Sequence, residues 1–226
     1  MVTALFLIIA GYVAGALPFG VWTGKICKGI DVREHGSGST GATNVYRCVG
    51  PAAGAFVFIA DNLKGTLPVL LAMHYESVGT FSDLQTYSHL IPTLVAVAAL
   101  IGHSKSLFLN FSGGKSAAVG LGTLFALNPL GGLFTMITFF SMCYLTKIVS
   151  VASITAVFMC GVYFYLLHSP MEYVGYCIFG FLYVTYRHKA NIKRLLNGTE
   201  PRIGQKPPTL PPDGHDSDDK KMQTTT

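Results

Sequence analysis

Residues 149–167 read Val149-Ser-Val-Ala-Ser-Ile-Thr-Ala-Val-Phe-Met-Cys-Gly-Val-Tyr-Phe-Tyr-Leu-Leu167, nineteen positions without a charged side chain. About twenty apolar residues wound as a helix cover the roughly 30 Å hydrocarbon core of a bilayer. The stretch therefore reads as a membrane-crossing helix. Working outward, further apolar runs cover residues 3–24, 51–75, 87–102, 117–127, 131–146 and 171–187, which makes seven candidate helices in 226 residues. Half the residues are hydrophobic, only 12% are charged, and mean hydropathy is +0.47. A soluble domain of this size carries about twice that charge. The expected fold class is therefore all-α, a polytopic integral membrane protein. No Lys or Arg precedes the first run, so it lacks the basic leader of a secretory signal and reads as a retained span.

The run from 117 to 127 is short for a crossing. Eleven residues of helix rise about 17 Å. It must either begin deeper, at Gly113-Gly114-Lys115, or form a half-helix whose N-terminus lies inside the membrane, an arrangement suited to binding an ion. The basic residues test the parity. With seven crossings and the N-terminus outside, the loops holding Lys25, Lys28, Arg33 and Arg47, then Lys105 and Lys115, then Lys147, and the segment from Arg187 onward all face the cytoplasm. Of sixteen basic residues only Lys64 then lies within a span, and the opposite loops, 76–86, 128–130 and 168–170, hold none. That is a positive-inside distribution. Residues 1–204 are accordingly expected to form one seven-helix membrane domain. Residues 205–226, with Lys206-Pro-Pro, Leu210-Pro-Pro and Asp216-Ser-Asp-Asp-Lys-Lys221, are expected to be a disordered cytoplasmic tail.

The net charge of +5 comes without a basic helix, zinc spacing or interleaved basic and aromatic residues, so no nucleic-acid partner is expected. The five cysteines, Cys27, Cys48, Cys143, Cys160 and Cys177, stand singly, as small core residues do. His35, His74, His89 and His168 have no carboxylate or Cys partner at ligand spacing, and no metal or cofactor is expected.

Polar residues among these runs need a reason. The loop after the first run reads Gly36-Ser37-Gly38-Ser39-Thr40-Gly41-Ala42-Thr43-Asn44-Val45-Tyr46-Arg47. Its glycines let backbone N–H groups approach an anion, and Arg47 adds a bidentate partner for phosphate oxygens. The same composition also suits a plain flexible loop, and the nucleotide-binding pattern GxxxxGK[ST] is not met. Gly102-His103 is followed by Phe111-Ser112-Gly113-Gly114-Lys115-Ser116, a second anion seat built from small residues, a helix N-terminus and an ammonium. Asp61 and Lys64 share one face of the second run, as an ion pair or as pathway residues. Beyond the last run, His188 and Asn191 would share a face if the helix continues. A basic ending of this kind also contacts anionic lipid, a role that has no use for His188.

Taken in order, Ser37-Gly-Ser-Thr-Gly-Ala-Thr-Asn-Val-Tyr-Arg47, Asp61-Asn-Leu-Lys-Gly65, Gly102-His103 with Phe111-Ser-Gly-Gly-Lys115, Val149-Ser-Val-Ala-Ser153, and Arg187-His-Lys-Ala-Asn191 with Gly198-Thr-Glu200 closely resemble the bacterial acyl-phosphate:glycerol-3-phosphate acyltransferases, over residues 3–204. The resemblance implies a seven-helix enzyme of the bacterial inner membrane with its active site facing the cytoplasm. It implies transfer of an acyl chain from acyl phosphate to the 1-hydroxyl of glycerol 3-phosphate, giving lysophosphatidic acid and phosphate, without a metal and without acyl-CoA or acyl carrier protein. It carries over Ser37, Arg47, Lys115, His188 and Asn191 as catalytic positions, and Gly38, Gly41, Thr43, Asn44, Gly113, Gly114, Ser153 and Glu200 as positions binding substrate or phosphate. A soluble enzyme that makes the labile acyl phosphate is an expected partner, beside membrane lipid. Four positions depart from the family pattern. Ser39 replaces the usual Asn, Ser106 a Pro, and Ser116 and Val119 the Gly and Thr of GGKGxAT, which bears on affinity and loop shape.

Acyl phosphate is an activated donor, so positioning the two reactants supplies much of the acceleration. Either His188 or a substrate phosphate takes the hydroxyl proton, and an acyl-serine on Ser37 has no base beside it. Three rival functions stand beside this one, of which a structural membrane protein with a basic cytoplasmic face leaves Ser37 to Asn44 and His188 unexplained. Acyltransferases using a His with Asp five positions on are excluded, since His103 is followed there by Phe108 and His188 by Lys193. A transporter or channel for a small phosphorylated anion would use Asp61, Lys64 and the half-helix as its path.

Overall fold

Proline opens several of the helices, although Pro68 lies inside one. In the computed structural model, which describes residues 2–81 and 89–205, the first run is two helices, α1 (Val2–Ala16) and α2 (Phe19–Lys28), with a break at Leu17-Pro18. Pro18 has no N–H to carry the helical ladder onward. The glycine-rich loop leads into a short α3 (Ala42–Cys48), and α4 (Pro51–Ser77) opens on a proline, where the missing N–H would have had no helical partner anyway. There follow α5 (Leu90–Ser104), a single 3-10 turn at Leu107–Leu109, α6 (Ala117–Leu127), α7 (Pro129–Thr146), α8 (Val149–Leu166), α9 (Met171–Arg187) and α10 (Lys189–Leu196). The described residues contain no β-strand, only an isolated bridge between Ser106 and Ser112.

The chain is an all-α, multi-pass membrane protein. Four helical stretches are long and apolar enough to cross, namely Val2–Lys28, Pro51–Ser77, Pro129–Thr146 and Val149–Leu166, while α5 and α6 are apolar but shorter. Seven equivalent spans are therefore not seen. The expected run 171–187 is a helix with those bounds, but it is amphipathic, with Tyr173 and Tyr176 turned into the core.

Helix pairs approach closely because small residues line their contacts, the packing that lipid-embedded helices rely on. α1 lies along α5, and a Cβ on Gly15 would stand 2.2 Å from the Ala99 carbonyl oxygen. α6 lies along α4, and a Cβ on Gly122 would stand 2.1 Å from the Asn62 oxygen. Val69, Val95, Leu100, Val119 and Phe164 are fully buried in the main core. A smaller cluster of Val21, Val32, Val45, Val57 and Leu109 ties the glycine-rich loop to α2, α3 and α4. Among the cysteines only Cys160 and Cys177 are buried, whereas Cys27 is exposed, so the small-core reading applies to two of the five. His89 does have a carboxylate neighbour, contrary to expectation. Its Nδ1 lies 3.3 Å from Glu76 Oε2, a contact across the α4–α5 connection that sequence spacing hides. The expected tail lies outside the described residues except for Gln205.

Lys64 and Asp61 form a buried pair in α4, with Nζ 2.8 Å from Oδ1 but outside hydrogen-bond geometry. The ammonium also donates to the Leu17 carbonyl at 2.7 Å, capping the oxygen that the α1–α2 break leaves open. Lys64→Met alone strands the carboxylate, and a stability loss of about 3–5 kcal/mol is expected. The double variant Asp61→Leu/Lys64→Met should regain most of it. Thermal unfolding of the purified variants checks this, and equal losses in both would disprove the pairing.

Candidate functional site

Three segments far apart in sequence meet at one end of the bundle. The first is the glycine-rich loop, which is folded around a single amide. Asn44, 1% exposed, donates through Nδ2 to the carbonyls of Val32, His35 and Ser39 at 2.8, 3.0 and 2.9 Å, and its Oδ1 accepts from the Ser37 N–H at 2.8 Å. This is a shaped loop, not a flexible one. Gly36 and Gly38 take φ of 60° and 66°, a backbone that a side chain would strain. Arg47, on α3, uses Nη2 toward the Pro201 carbonyl at 3.4 Å.

The second segment precedes α6. Gly113 and Gly114 lie flat against the end of α5, since a Cβ on Gly113 would stand 2.2 Å from the His103 oxygen and the Gly114 N–H donates to that oxygen at 3.2 Å. Lys115 emerges from this loop, and α6 begins two residues later, as an 11-residue helix. The departures from the family pattern are absorbed here. Ser116 donates its hydroxyl to the Leu100 carbonyl at 2.7 Å, Ser106 donates to the Ala16 carbonyl at 2.6 Å, and Val119 is buried against α4.

The third segment joins the start of α8 to the end of the described chain. α9 does not continue through His188, which instead forms the corner between α9 and α10. Its Nδ1 meets the Val184 carbonyl at 2.7 Å. The Glu200 carboxylate is a hub. Oε1 accepts from Asn191 Nδ2 at 2.5 Å and from the Ser150 hydroxyl at 2.8 Å, and Oε2 pairs with Arg194 Nε at 2.7 Å. Ile203 N–H then donates to the Lys147 carbonyl at 2.7 Å, so residues 199–203 strap α10 to the α7–α8 corner. With its Nδ2 held by Glu200, Asn191 keeps Oδ1 buried and without a partner.

These segments line a cleft of about 140 Å³. Ser37, Gly41, Thr43, Asn44 and Arg47 line it from the first segment, Lys115 from the second, and Ser153, His188, Asn191 and Glu200 from the third. Gly38, Gly113 and Gly114 do not line it and shape the loops behind it. Beyond the polar mouth the cleft continues as a largely apolar slot between Phe58 of α4, Leu121 and Leu124 of α6, Phe139 of α7, and Ala156 and Val157 of α8, with Asp61, His103 and Thr135 also on the cleft wall. From Val149 to Val157 the slot follows nine residues of helix, a rise of about 12 Å. Sequence reasoning missed Ser150 and Arg194, the partners of Glu200. It also missed the slot, whose apolar side chains look in sequence like any lipid-facing position.

Electrostatics follow from burial. Desolvation pushes the Lys115 ammonium down to about 8, with Glu200 pulling the other way and Arg194, Arg47 and Arg187 adding to the fall. Desolvation, helped by Lys115, pushes His188 down to about 4. Burial raises Glu200, but hydrogen bonds from Asn191, Ser150 and Arg194 outweigh it and hold the carboxylate below its usual value. At neutral pH the mouth thus holds two cations facing the cleft, an anion committed to its own partners, and a neutral imidazole. That arrangement accepts a phosphate, and the slot accepts a hydrocarbon chain.

Comparison with known proteins agrees with this geometry. The glycerol-3-phosphate acyltransferase family matches residues 5–198. The chain is 49% identical over 211 residues to the glycerol-3-phosphate acyltransferase of Crocosphaera subtropica, covering 91% of this chain and 96% of that one. It is 39% identical over 193 residues to the enzyme of Fusobacterium nucleatum, covering 85% and 94%. Its fold is similar to the crystal structure of PlsY (YgiH), an integral membrane glycerol 3-phosphate acyltransferase, in its glycerol 3-phosphate form, with a TM-score of 0.81, 37% identity and coverage of 89% of this chain and 96% of that one. The lysophosphatidic acid form of that protein matches with a TM-score of 0.79. A cationic mouth over an apolar slot, on this fold and with this likeness along nearly the whole chain, means that the chain belongs to the glycerol-3-phosphate acyltransferase family.

Proposed function

We propose that the chain transfers an acyl group from acyl phosphate to the 1-hydroxyl of sn-glycerol 3-phosphate, giving lysophosphatidic acid and inorganic phosphate. The single observation that carries this reading is the continuity of the cleft, in which the cations Arg47 and Lys115 stand over the apolar slot. An amphiphile with a phosphate head and an acyl tail fits both halves at once, and the acceptor needs only the mouth. In the reaction the glycerol oxygen forms a bond to the acyl carbonyl carbon, the carbon–oxygen bond to phosphate breaks, and the hydroxyl proton ends on the departing phosphate. Lys115 and the N–H groups at the start of α6 offset the charge on phosphate. Arg47, Ser37, Ser153, His188 and Asn191 hold the acceptor, so the rate enhancement comes mainly from proximity.

The wider setting is part of the same proposal. Residues 1–204 form the catalytic membrane domain with seven crossings, α6 entering as a short helix, the N-terminus outside and the active site facing the cytoplasm of a bacterial inner membrane. The placement of basic residues supports this, since Arg47, Lys115 and Arg194 gather at the same end as the mouth. A soluble acyl-phosphate-forming enzyme would deliver its product at that end. The experiment uses the purified chain in lipid with glycerol 3-phosphate and either acyl phosphate or acyl-CoA. Lysophosphatidic acid and phosphate are expected from acyl phosphate alone. Product from acyl-CoA would overturn the donor assignment, and glycerol-phosphate flux across sealed vesicles without any product would favour the transport reading.

A further inference from the structure

Arg187, the last residue of α9, is aimed at the lysine loop and not at the cleft. Its Nη2 donates to the carbonyl oxygens of Gly114 at 3.1 Å, Gly113 at 3.3 Å and Ser104 at 3.4 Å. Its Nε is buried and has no partner, and among the described residues no carboxylate lies within ion-pair distance of the guanidinium. A cation held by carbonyls alone brings two things to a neighbouring anion site, namely backbone orientation and an unneutralised positive charge.

Peptide planarity gives the orientation. A trans peptide points its C=O and N–H in opposite directions. With the Gly113 carbonyl turned to Arg187, the Gly114 N–H faces α5, where it donates to the His103 oxygen at 3.2 Å. With the Gly114 carbonyl also turned to Arg187, the Lys115 N–H must face away from the guanidinium. No described residue accepts from that N–H, and Lys115 lines the cleft. The loop is thus fixed on one side by its flat contact with His103 and on the other by Arg187.

We propose that Arg187 is a positioning residue that orients the Gly114–Lys115 peptide and adds positive charge behind it, so that the Lys115 N–H and ammonium converge on a substrate phosphate. This rests on the reaction proposed above. Because α9 ends at Arg187 and α10 begins at Lys189, the same residue also ties the α9–α10 junction carrying His188 and Asn191 to the phosphate loop.

Arg187→Gln, Arg187→Lys and Arg187→Gly in the full chain test this. Arg187→Gln should raise KM for one phosphate-bearing substrate about tenfold while kcat changes less than about threefold. Calorimetric affinity for inorganic phosphate should fall with it, Arg187→Lys should recover part of the loss, and methylguanidinium should partly rescue Arg187→Gly. Unchanged phosphate affinity and unchanged KM values in Arg187→Gln would overturn the proposal, whatever happens to kcat. So would a loss of affinity that only follows the unfolded fraction in thermal unfolding and is not rescued by the guanidinium compound. If the wild-type chain made no product yet bound phosphate in an Arg187-dependent way, the reaction would be wrong and the positioning role would stand.

Discussion

Replacing Lys115 with alanine is expected to lower kcat/KM by at least about 10²–10³-fold, the usual cost of removing a preorganised charge aimed at a developing anion. The loss should exceed that from a change at Gly38, because that glycine acts on loop shape from behind the cleft while Lys115 faces the cleft directly. The pH dependence carries more information than the loss itself. Burial places the free Lys115 at about 8, so the ammonium is intact below that value and is lost as pH rises through it. kcat/KM, which reports the free enzyme, should therefore fall above about pH 8. A bound phosphate favours the charged form, so the corresponding limb in kcat should lie at higher pH. In Lys115→Arg, whose guanidinium stays charged, the alkaline limb of kcat/KM should vanish even if activity is reduced. An alkaline limb of the same midpoint in Lys115→Arg would assign it to another group. Phosphate release measured across the pH range in both proteins decides the matter.

The parts of the molecule that could be read from sequence are those set by local chemistry. The bounds of α6 follow from an apolar run held between Gly-Gly-Lys and Asn-Pro, and its 11 residues appear as a helix starting beside the lysine loop. The Asp61–Lys64 pair follows from spacing on one helical face. Long-range closure could not be read. The break at Pro18 falls inside a run that is apolar on both sides, so composition passes through it. Glu200 finds Ser150 across fifty positions of sequence, His89 finds Glu76 across a connection, and Arg187 finds the lysine loop across seventy-three. The resemblance places Glu200 among the positions binding substrate or phosphate. In the structure its carboxylate accepts from Ser150, Asn191 and Arg194 while it also lines the cleft.

His188→Gln is expected to lower kcat/KM about 10–100-fold, the scale of one hydrogen bond to a reacting hydroxyl, while leaving the shape of the pH–rate profile unchanged. The imidazole geometry leads to this. A carbonyl only accepts, so the contact between Nδ1 and the Val184 oxygen at 2.7 Å requires the proton on Nδ1 and leaves Nε2 as an acceptor. Burial and Lys115 set the ring at about 4, so it is neutral above that value and gains a proton only as pH falls through it. At pH 7 about one ring in a thousand is protonated. A base this weak accepts a hydrogen bond from the glycerol hydroxyl and aims its oxygen lone pair at the acyl carbon, but it has little power to remove the proton. A substrate phosphate, with a second pKa near 6, is the stronger base in the same cleft, and any acid limb in that region should persist in His188→Gln. Glutamine keeps an acceptor oxygen near the position of Nε2, whereas alanine keeps none, so His188→Ala should be the more damaged of the two. An acid limb between about pH 6 and 7 that disappears in His188→Gln would instead make His188 the general base. It would place the imidazole well above the value that burial and the adjacent Lys115 ammonium favour.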